Sequence, residues 1–321
     1  MASCLFNKSL EGDKGKMKIP VIVGPTSSGK TSLSLDLCEK LDGEVISADS
    51  RQIYKHMDIG TGKLPAHTEV SYERHDKYWI LERKKVWGYD LVKPDEYFSA
   101  YDFAEFGLKT AGELIGEGLH PIIAGGTGLY IDFFTHRIKD LSGPPDLDLR
   151  EKLESKDLKE LQDEVTSLNI ELNRSDFHNK YRLVRILERK KTTESPSPLP
   201  YLKDVNYIFI GLTAPRKFLY QRVDLWADSI WQDDLIVKEV EKLIDLGYED
   251  SPKLHGLVYE NAYAYFKREK SRKKAIQRTK FNLHAYIRRQ QTYFKRNKEI
   301  KWFDITQDNY VQTLYNYFKE I

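Results

Sequence analysis

Ile19–Ser50 reads IPVIVGPTSSGKTSLSLDLCEKLDGEVISADS, and this stretch decides the fold. Val21-Ile22-Val23 is a short apolar run of the kind that forms a buried strand. Gly24-Pro25-Thr26-Ser27-Ser28-Gly29-Lys30-Thr31 follows as a complete G-x-x-x-x-G-K-[ST] phosphate loop. Leu33, Leu35, Leu37 and Leu41 then give a helix-like pattern. Glycines let the backbone fold back so that successive N–H groups converge at a helix N-terminus, which already favours anions. Lys30 adds a point charge for phosphate oxygens, and the Thr31 hydroxyl is placed to ligate Mg²⁺. A chance Gly-Lys-Thr in a structural turn is the competing explanation. The strand before it and the helix after it argue against that.

Working outward, the next strand is predicted over Glu44–Ala48, with Asp49 at its carboxyl end. Ligands of open parallel sheets gather outside the carboxyl ends of the strands, so Asp49 faces the phosphate loop across the site. A carboxylate there suits a metal contact, a substrate contact or a general base. Arg51–Lys63 continues as a polar and aromatic segment that reads equally well as a surface loop. From Leu64 to Pro94 the pattern is weak, and His75-Asp76 reads as an ordinary surface pair. Ser99 is a plausible cap for a helix with Phe103, Phe106, Leu108, Leu114 and Ile115 on its inner side. Pro121–Ala124 is a third buried strand. Gly125-Gly126-Thr127-Gly128-Leu129-Tyr130 turns it into a helix, which puts Thr127 on the same sheet edge as the phosphate loop.

The second half reads differently. Asp146–Glu188 has helical spacing (Leu149, Leu153, Leu158, Leu161, Val165) and no strong strand. Ser195-Pro196-Ser197-Pro198-Leu199-Pro200 is a loop that no helix crosses. Tyr207–Leu212 is a strand, and the rest reads as helices. The net charge is only +2, yet Lys267–Lys301 holds fourteen Lys or Arg against Glu269 and Glu299. A basic end of this kind suggests an anionic polymer as partner.

Composition sets the outer limits. With 321 residues, 40% hydrophobic and 31% charged, the chain has the balance of a soluble globular protein of one large or two ordinary domains. No apolar run approaches the ~20 residues of a membrane span. Residues 1–18 read as a flexible leader without a signal-peptide cleavage site. Cys4 and Cys38 make no disulfide framework or zinc spacing, which fits a reducing cytoplasm. No interface signature stands out, so a monomer is expected.

GPTSSGKT, ISADSRQIYKHMDIGTGK, YFSAYDF and PIIAGGTGLYIDFF, in this order, resemble the tRNA dimethylallyltransferase family. The likeness continues through LSGPPDLDLREKL, YRLVRILE, IGLTAPRKFLYQRV and AYIRRQQTYFKRN, covering most of Ile19–Asp304. It implies an α/β fold, a P-loop NTPase-like parallel sheet flanked by helices, with an inserted mostly helical domain. The core would be 19–140 and 205–321, and the tRNA-contacting insertion 141–204. The implied reaction moves a dimethylallyl group from dimethylallyl diphosphate, with Mg²⁺, to N6 of the adenine 3′ to the anticodon of tRNA. Gly24, Thr26, Ser27, Ser28, Gly29, Lys30 and Thr31 would hold the diphosphate. Asp49 matches the family's catalytic aspartate, and Thr127 the residue that contacts the bridging oxygen. Ser50, Arg51 and Gln52 resemble residues that hold the target nucleotide, and Arg182 and Arg185 match a family arginine pair. Lys273, Lys274, Arg278 and Arg288 supply phosphate contacts on the basic segment, interleaved with Phe281, Tyr286, Tyr293 and Phe294.

This chain departs from the family in places. Gly256-Leu257-Val258-Tyr259-Glu260 stands where a Gly-Tyr-Arg or Gly-Tyr-Lys turn is usual, so Glu260 replaces a basic residue. Trp226, Asp234, Asn179 and Ile186 are further substitutions, and a double-histidine segment is reduced to His75-Asp76. Four other readings are an isopentenyltransferase acting on free adenine nucleotides, a small-molecule kinase, a catalytically silent RNA-binding paralogue and a scaffold. The first has no use for the basic tail. A kinase needs a phosphoryl acceptor pocket. A silent protein has no chemical need for Asp49 and Thr127, and a scaffold leaves the phosphate loop unexplained.

Overall fold

β1 (Met17–Val23) lies in the middle of the sheet, and residues Ile19–Val23 are fully covered. Such a continuous apolar run forms where a parallel strand is covered on both faces. The computed structural model describes residues 16–64, 70–138, 146–192 and 198–320. Nearly all of the leader (residues 1–15) and Ser195–Ser197 of the proline-rich loop lie outside the described residues.

Eight strands form one sheet in the order β3-β4-β5-β2-β6-β1-β7-β8. They are β2 (Gly43–Ser47), β3 (Tyr72–Arg74), β4 (Tyr78–Leu81), β5 (Lys84–Trp87), β6 (His120–Gly125), β7 (Val205–Thr213) and β8 (Lys301–Asp304). All pairings from β5 to β8 are parallel, and only β3–β4 and β4–β5 are antiparallel. Two expectations are corrected here. The weak segment after Leu64 supplies three short strands, and the C-terminal part is not all helical because β8 extends the sheet. Tyr72, Glu73 and Arg74 of β3 are all exposed, so no apolar alternation announces that strand.

Alternation along the strands builds two faces. Ile22, Val45, Ile122 and Ile210 cluster with Leu33, Leu37, Cys38 and Leu41 of α1 (Lys30–Leu41) and with Leu314 and Phe318 of α12 (Tyr310–Glu320). Ile46 points the other way, toward Gly107 of α2 (Ala100–Gly116). α2 begins with a capping box: the Asp102 amide donates to Ser99 Oγ (3.2 Å), and Ser99 N–H donates to Asp102 (2.7 Å).

Around the sheet edge run α3 (Gly128–Phe134), α8 (Arg216–Trp231), α9 (Leu235–Asp245), α10 (Tyr259–Phe266) and α11 (Arg272–Phe294). The segment after Asp49 is held from below rather than lying loose on the surface. Glu239 of α9 is 7% exposed and accepts the amides of Asp58 (2.8 Å), Ile59 (2.7 Å) and Gly60 (3.0 Å), and the Tyr259 hydroxyl (2.7 Å). Burial pushes its carboxyl up, and those four donors pull it back. Lys63, buried to 2%, donates to Tyr54 O (2.7 Å), Asp58 (3.0 Å) and Asp90. The Trp79 indole N–H donates to the other Asp90 oxygen (2.8 Å), tying β4 to the same cluster. The Ile-Gly-Thr-Gly-Lys run, with Gly60 and Lys63 buried and the rest half-buried, is therefore a hydrogen-bonded support for the polypeptide leaving Asp49.

The chain divides into two compact units, one made of the residues up to Thr135 with those from Pro200 onward, the other His136–Leu199. The second packs α4 (Leu147–Glu154), α5 (Leu158–Ser167), α6 (Arg174–Phe177) and α7 (Lys180–Lys191). Its core is Leu153, Leu161, Val165, Leu183, Val184 and Leu187. Arg150 and Glu188 add a buried bidentate pair, with Nε to Oε2 at 3.1 Å and Nη2 to Oε1 at 2.8 Å.

Candidate active site

The phosphate loop joins β1 to α1 and takes the backward turn that its glycines permit. Gly29 has φ +89° and Gly24 φ +147°, and a side chain on Gly24 would meet Leu212 O at 2.5 Å. No side chain caps the N-terminus of α1, so its first amides face the loop concavity. Lys30 Nζ donates to Pro25 O at 2.8 Å. Burial lowers the Lys30 ammonium to about 8, with the Asp49 carboxylate pulling it back up. Ser28 is 1% exposed, and its hydroxyl has no hydrogen-bond partner among the described residues. A buried donor of that kind suits an anionic oxygen. The Thr26 amide, in contrast, is already taken by Gln290 Oε1 at 2.8 Å.

Parallel pairing of β6 with β1 sets Val23 opposite Gly125, and pairing with β2 sets Ser47 opposite Ala124. Both glycine-rich turns and Asp49 thus leave the sheet at one edge. The Thr127 amide donates to Ala48 O (3.2 Å), and its hydroxyl accepts the Ser50 amide (2.9 Å) and donates to Ser50 Oγ (3.1 Å). Asp49 Oδ1 accepts the Arg51 amide at 2.9 Å. The carboxylate is only half-buried. Burial pushes the hydroxyls of Tyr89 and Tyr286 up, and the nearby Asp49 charge adds to this. Asp49, Thr127, Ser50, Lys30 and the loop form one hydrogen-bonded and electrostatic neighbourhood.

The remaining residues expected from the sequence to contact the nucleotide divide. Arg51 lies over the Tyr286 ring with its guanidinium carbon 6.0 Å from the centroid. Gln52 is occupied inside the protein: Oε1 accepts Ser47 Oγ (2.8 Å), and Nε2 reaches Gly62 O (3.3 Å) and Thr61 O (3.4 Å). Arg182 and Arg185 belong to the second unit. Arg182 pairs with Asp176 there, and Arg185 donates to Glu188 at 3.1 Å. His75 and Asp76 are exposed, and Glu260 is exposed in the first turn of α10.

α11 carries seven Lys or Arg and no Asp or Glu. Part of this charge is answered by α8: Lys280 pairs with Asp228 (2.7 Å) and His284 with Asp224 (2.8 Å). Arg288 donates to the Tyr220 hydroxyl (3.1 Å). Lys273, Lys274 and Arg278 are exposed and make no ion pair among the described residues. Of the interleaved aromatics only Phe281 is exposed. Phe294 is buried, and Tyr286 and Tyr293 turn inward.

Sequence reading missed the inner face of this helix. Gln290 Nε2 donates to Gly126 O (3.0 Å), Tyr293 donates to Asp132 (2.6 Å), and Tyr286 lies near enough to Asp49 for the carboxylate charge to help push its hydroxyl up. A glutamine on the stripe Leu283, Ile287, Gln290, Phe294 was the available signal, because a polar residue in a buried stripe must have a partner.

Among the described residues no three His, Cys, Asp or Glu side chains gather as a metal site. Thr31, exposed at the start of α1, and Asp49 offer hard oxygen donors. That set fits a Mg²⁺ that keeps waters and takes its other ligands from phosphate oxygens, the habit of this ion.

The IPP transferase family model matches residues 52–297. A tRNA dimethylallyltransferase of Acetivibrio thermocellus is 36% identical over 299 residues, 88% of this chain and 90% of its own length. One from Bacillus cereus is 35% identical over 323 residues, 96% of each chain. The crystal structure of a Bacillus halodurans tRNA isopentenylpyrophosphate transferase superposes with a TM-score of 0.66 at 30% identity, covering 94% of this chain and 97% of that one. A eukaryotic dimethylallyltransferase acting on tRNA shares the fold, with a TM-score of 0.66 at 21% identity over 91% of this chain and 75% of its own. The chain belongs to the IPP transferase family.

Proposed function

We propose that this protein transfers a dimethylallyl group from dimethylallyl diphosphate to N6 of the adenine 3′ to the anticodon (position 37) of tRNA, releasing diphosphate. The observation that carries the reading is the hydrogen-bonded turn of Asp49, Ser50 and Thr127 beside a complete phosphate loop. A phosphoryl-transfer enzyme needs the loop. It uses a carboxylate beside the loop as well, so the choice of prenyl transfer rests on the pairing of that carboxylate with Thr127 together with membership of the IPP transferase family.

The loop amides beyond Thr26, the buried Ser28 hydroxyl and the Lys30 ammonium bind the diphosphate. These donors are set where negative charge grows as the allylic C–O bond breaks. Thr31 would hold a Mg²⁺, which would supply neutralisation of part of that charge. The Thr127 O–H, by rotating off Ser50 Oγ, donates to the bridging oxygen. An exocyclic adenine amine is a weak nucleophile because its lone pair is delocalised into the ring. Asp49 accepts its proton as the N–C bond forms, and diphosphate leaves whole.

An anticodon loop is single-stranded, so one base can be splayed into the pocket at modest cost. Ser50, Arg51 and Gln52 border that base. Lys273, Lys274, Arg278 and Arg288 contact the phosphate backbone, as do Arg182 and Arg185 of the insertion (141–204). The working unit is one chain in the cytoplasm. No described helix is long and apolar enough to cross a membrane. Burial pushes the Cys38 thiol up to about 12, so it stays protonated and unreactive.

Asp49→Ala is expected to lower kcat by ~10²–10⁴ while leaving tRNA affinity within a few fold, because proton acceptance is confined to the transition state. Turnover within tenfold of wild type would remove Asp49 from the mechanism. Lys30 gives a pH signature. Burial holds it near 8, and a bound diphosphate raises it, so binding takes up a proton above that pH. Donor affinity measured without acceptor should therefore fall as pH rises from 7 through 9, by up to ~10-fold per unit, and Lys30→Gln should abolish the slope. An affinity that stays level over that range contradicts the assignment. Neutralising Lys273, Lys274 and Arg278 together should reduce the slope of log K against log salt for tRNA by about 2–3. An unchanged slope would make this only a solvated face.

A further inference from the structure

We propose that Gln290 is a positioning residue for the transfer reaction: one amide group clasps the phosphate loop to the Thr127 turn and sets the distance between diphosphate and catalytic groups. The inference rests on the diphosphate reading above. Gln290 is 4% exposed, and its two ends are used in opposite senses. Oε1 accepts the Thr26 amide at 2.8 Å, and Nε2 donates to Gly126 O at 3.0 Å. Only this orientation satisfies both partners, since a flipped amide would set N–H against N–H and oxygen against oxygen. The two loops it joins come from different strands, and no other side chain among the described residues bonds to both.

Gly126 shows how closely this side chain is fitted. A Cβ there would fall 2.3 Å from Gln290 Nε2 and 3.8 Å from Asp49 Oδ2. Absence of a side chain at 126 is therefore what admits the clasp beside the catalytic carboxylate. The same helix face adds Tyr286, whose ring lies under the Arg51 guanidinium, one turn earlier. One turn later is Tyr293, whose ring fills the space next to Gly128, where a Cβ would lie 2.1 Å from it. Gln290 and Tyr293 thus brace the turn at Gly126 and Gly128. α11 presents Lys273, Lys274 and Arg278 outward at its other end.

The physical consequence is pre-organisation. The Thr26 amide is the first N–H of the loop after Pro25. Fixing it sets the path of the amides that follow, while Gly126 fixes the residue preceding Thr127. A displacement of about 1 Å between bound reactants and catalytic groups costs ~10²-fold in rate. Both polar ends of Gln290 are taken inside the protein, so its loss should act on diphosphate and turnover while leaving RNA affinity alone.

The test uses the full-length protein, with inorganic diphosphate and Mg²⁺ titrated calorimetrically and tRNA affinity and kcat measured in parallel. Gln290→Leu removes both bonds. Gln290→Glu keeps the acceptor for Thr26 but opposes an oxygen to Gly126 O. Gly126→Ala displaces the side chain from the other side and keeps the test open if one variant folds poorly. Leu283→Ala, on the same buried stripe, reports what loss of packing alone does. The expected result is a tenfold or greater loss of diphosphate affinity and of kcat in the first three, tRNA affinity within twofold, and diphosphate affinity unchanged in Leu283→Ala. Gln290 variants that bind diphosphate within twofold of wild type would overturn the role, and so would an equal loss in Leu283→Ala. If wild type itself binds no diphosphate, the phosphate-loop reading falls, and the clasp falls with it.

Discussion

The site depends on β6 running parallel and in register between β1 and β2. Val23 opposite Gly125 and Ser47 opposite Ala124 bring three strand ends to one edge within a few residues of one another. From that register follow the phosphate loop, the Asp49 carboxylate and the Thr127 hydroxyl, each leaving a different strand in the same direction. A shift by one residue would reverse every side chain and separate the groups. The apolar strands that make the shift costly are also the centre of the hydrophobic core. Stability and the geometry of the candidate site therefore have the same origin here.

The long basic helix joins two requirements. Its inner side meets the two glycine-rich turns and the helix that follows the second through Gln290 and Tyr293, while its first turns carry cations outward. Asp224 and Asp228 of α8 answer His284 and Lys280. With Arg272 paired to Asp234, these neighbours leave Lys273, Lys274, Arg278, Arg288 and Arg289 without an ion pair among the described residues. Exposed pairs of this sort contribute little to stability, so their effect is on where positive potential lies. Glu239 and Lys63 have the complementary task below the site. They bond the backbone of residues 54–63 so that the chain following Asp49 has a fixed course.

What could be read beforehand follows the range of the interactions. The phosphate loop was legible because its glycines, lysine and threonine act within eight consecutive residues. Asp49 and Thr127 were legible because the ends of apolar strands mark a sheet edge. β3 was not, since three exposed residues carry no periodicity, and β8 is a four-residue edge strand with only Phe303 buried. The Gln290 clasp spans 264 residues to Thr26, a separation at which spacing carries no information. The Ile-Gly-Thr-Gly-Lys run looked like a surface loop because its partner Glu239 lies 181 residues from Asp58. The tyrosines of α11 looked like neighbours of a charged surface, and packing turned two of them toward the turn.

The most direct test of the central claim is a transfer assay with labelled dimethylallyl diphosphate and Mg²⁺, offering unmodified tRNA and AMP in parallel. The account predicts label in tRNA at the adenine 3′ to the anticodon and none in AMP. Label confined to AMP, or no label in either while tRNA is still bound, would contradict it.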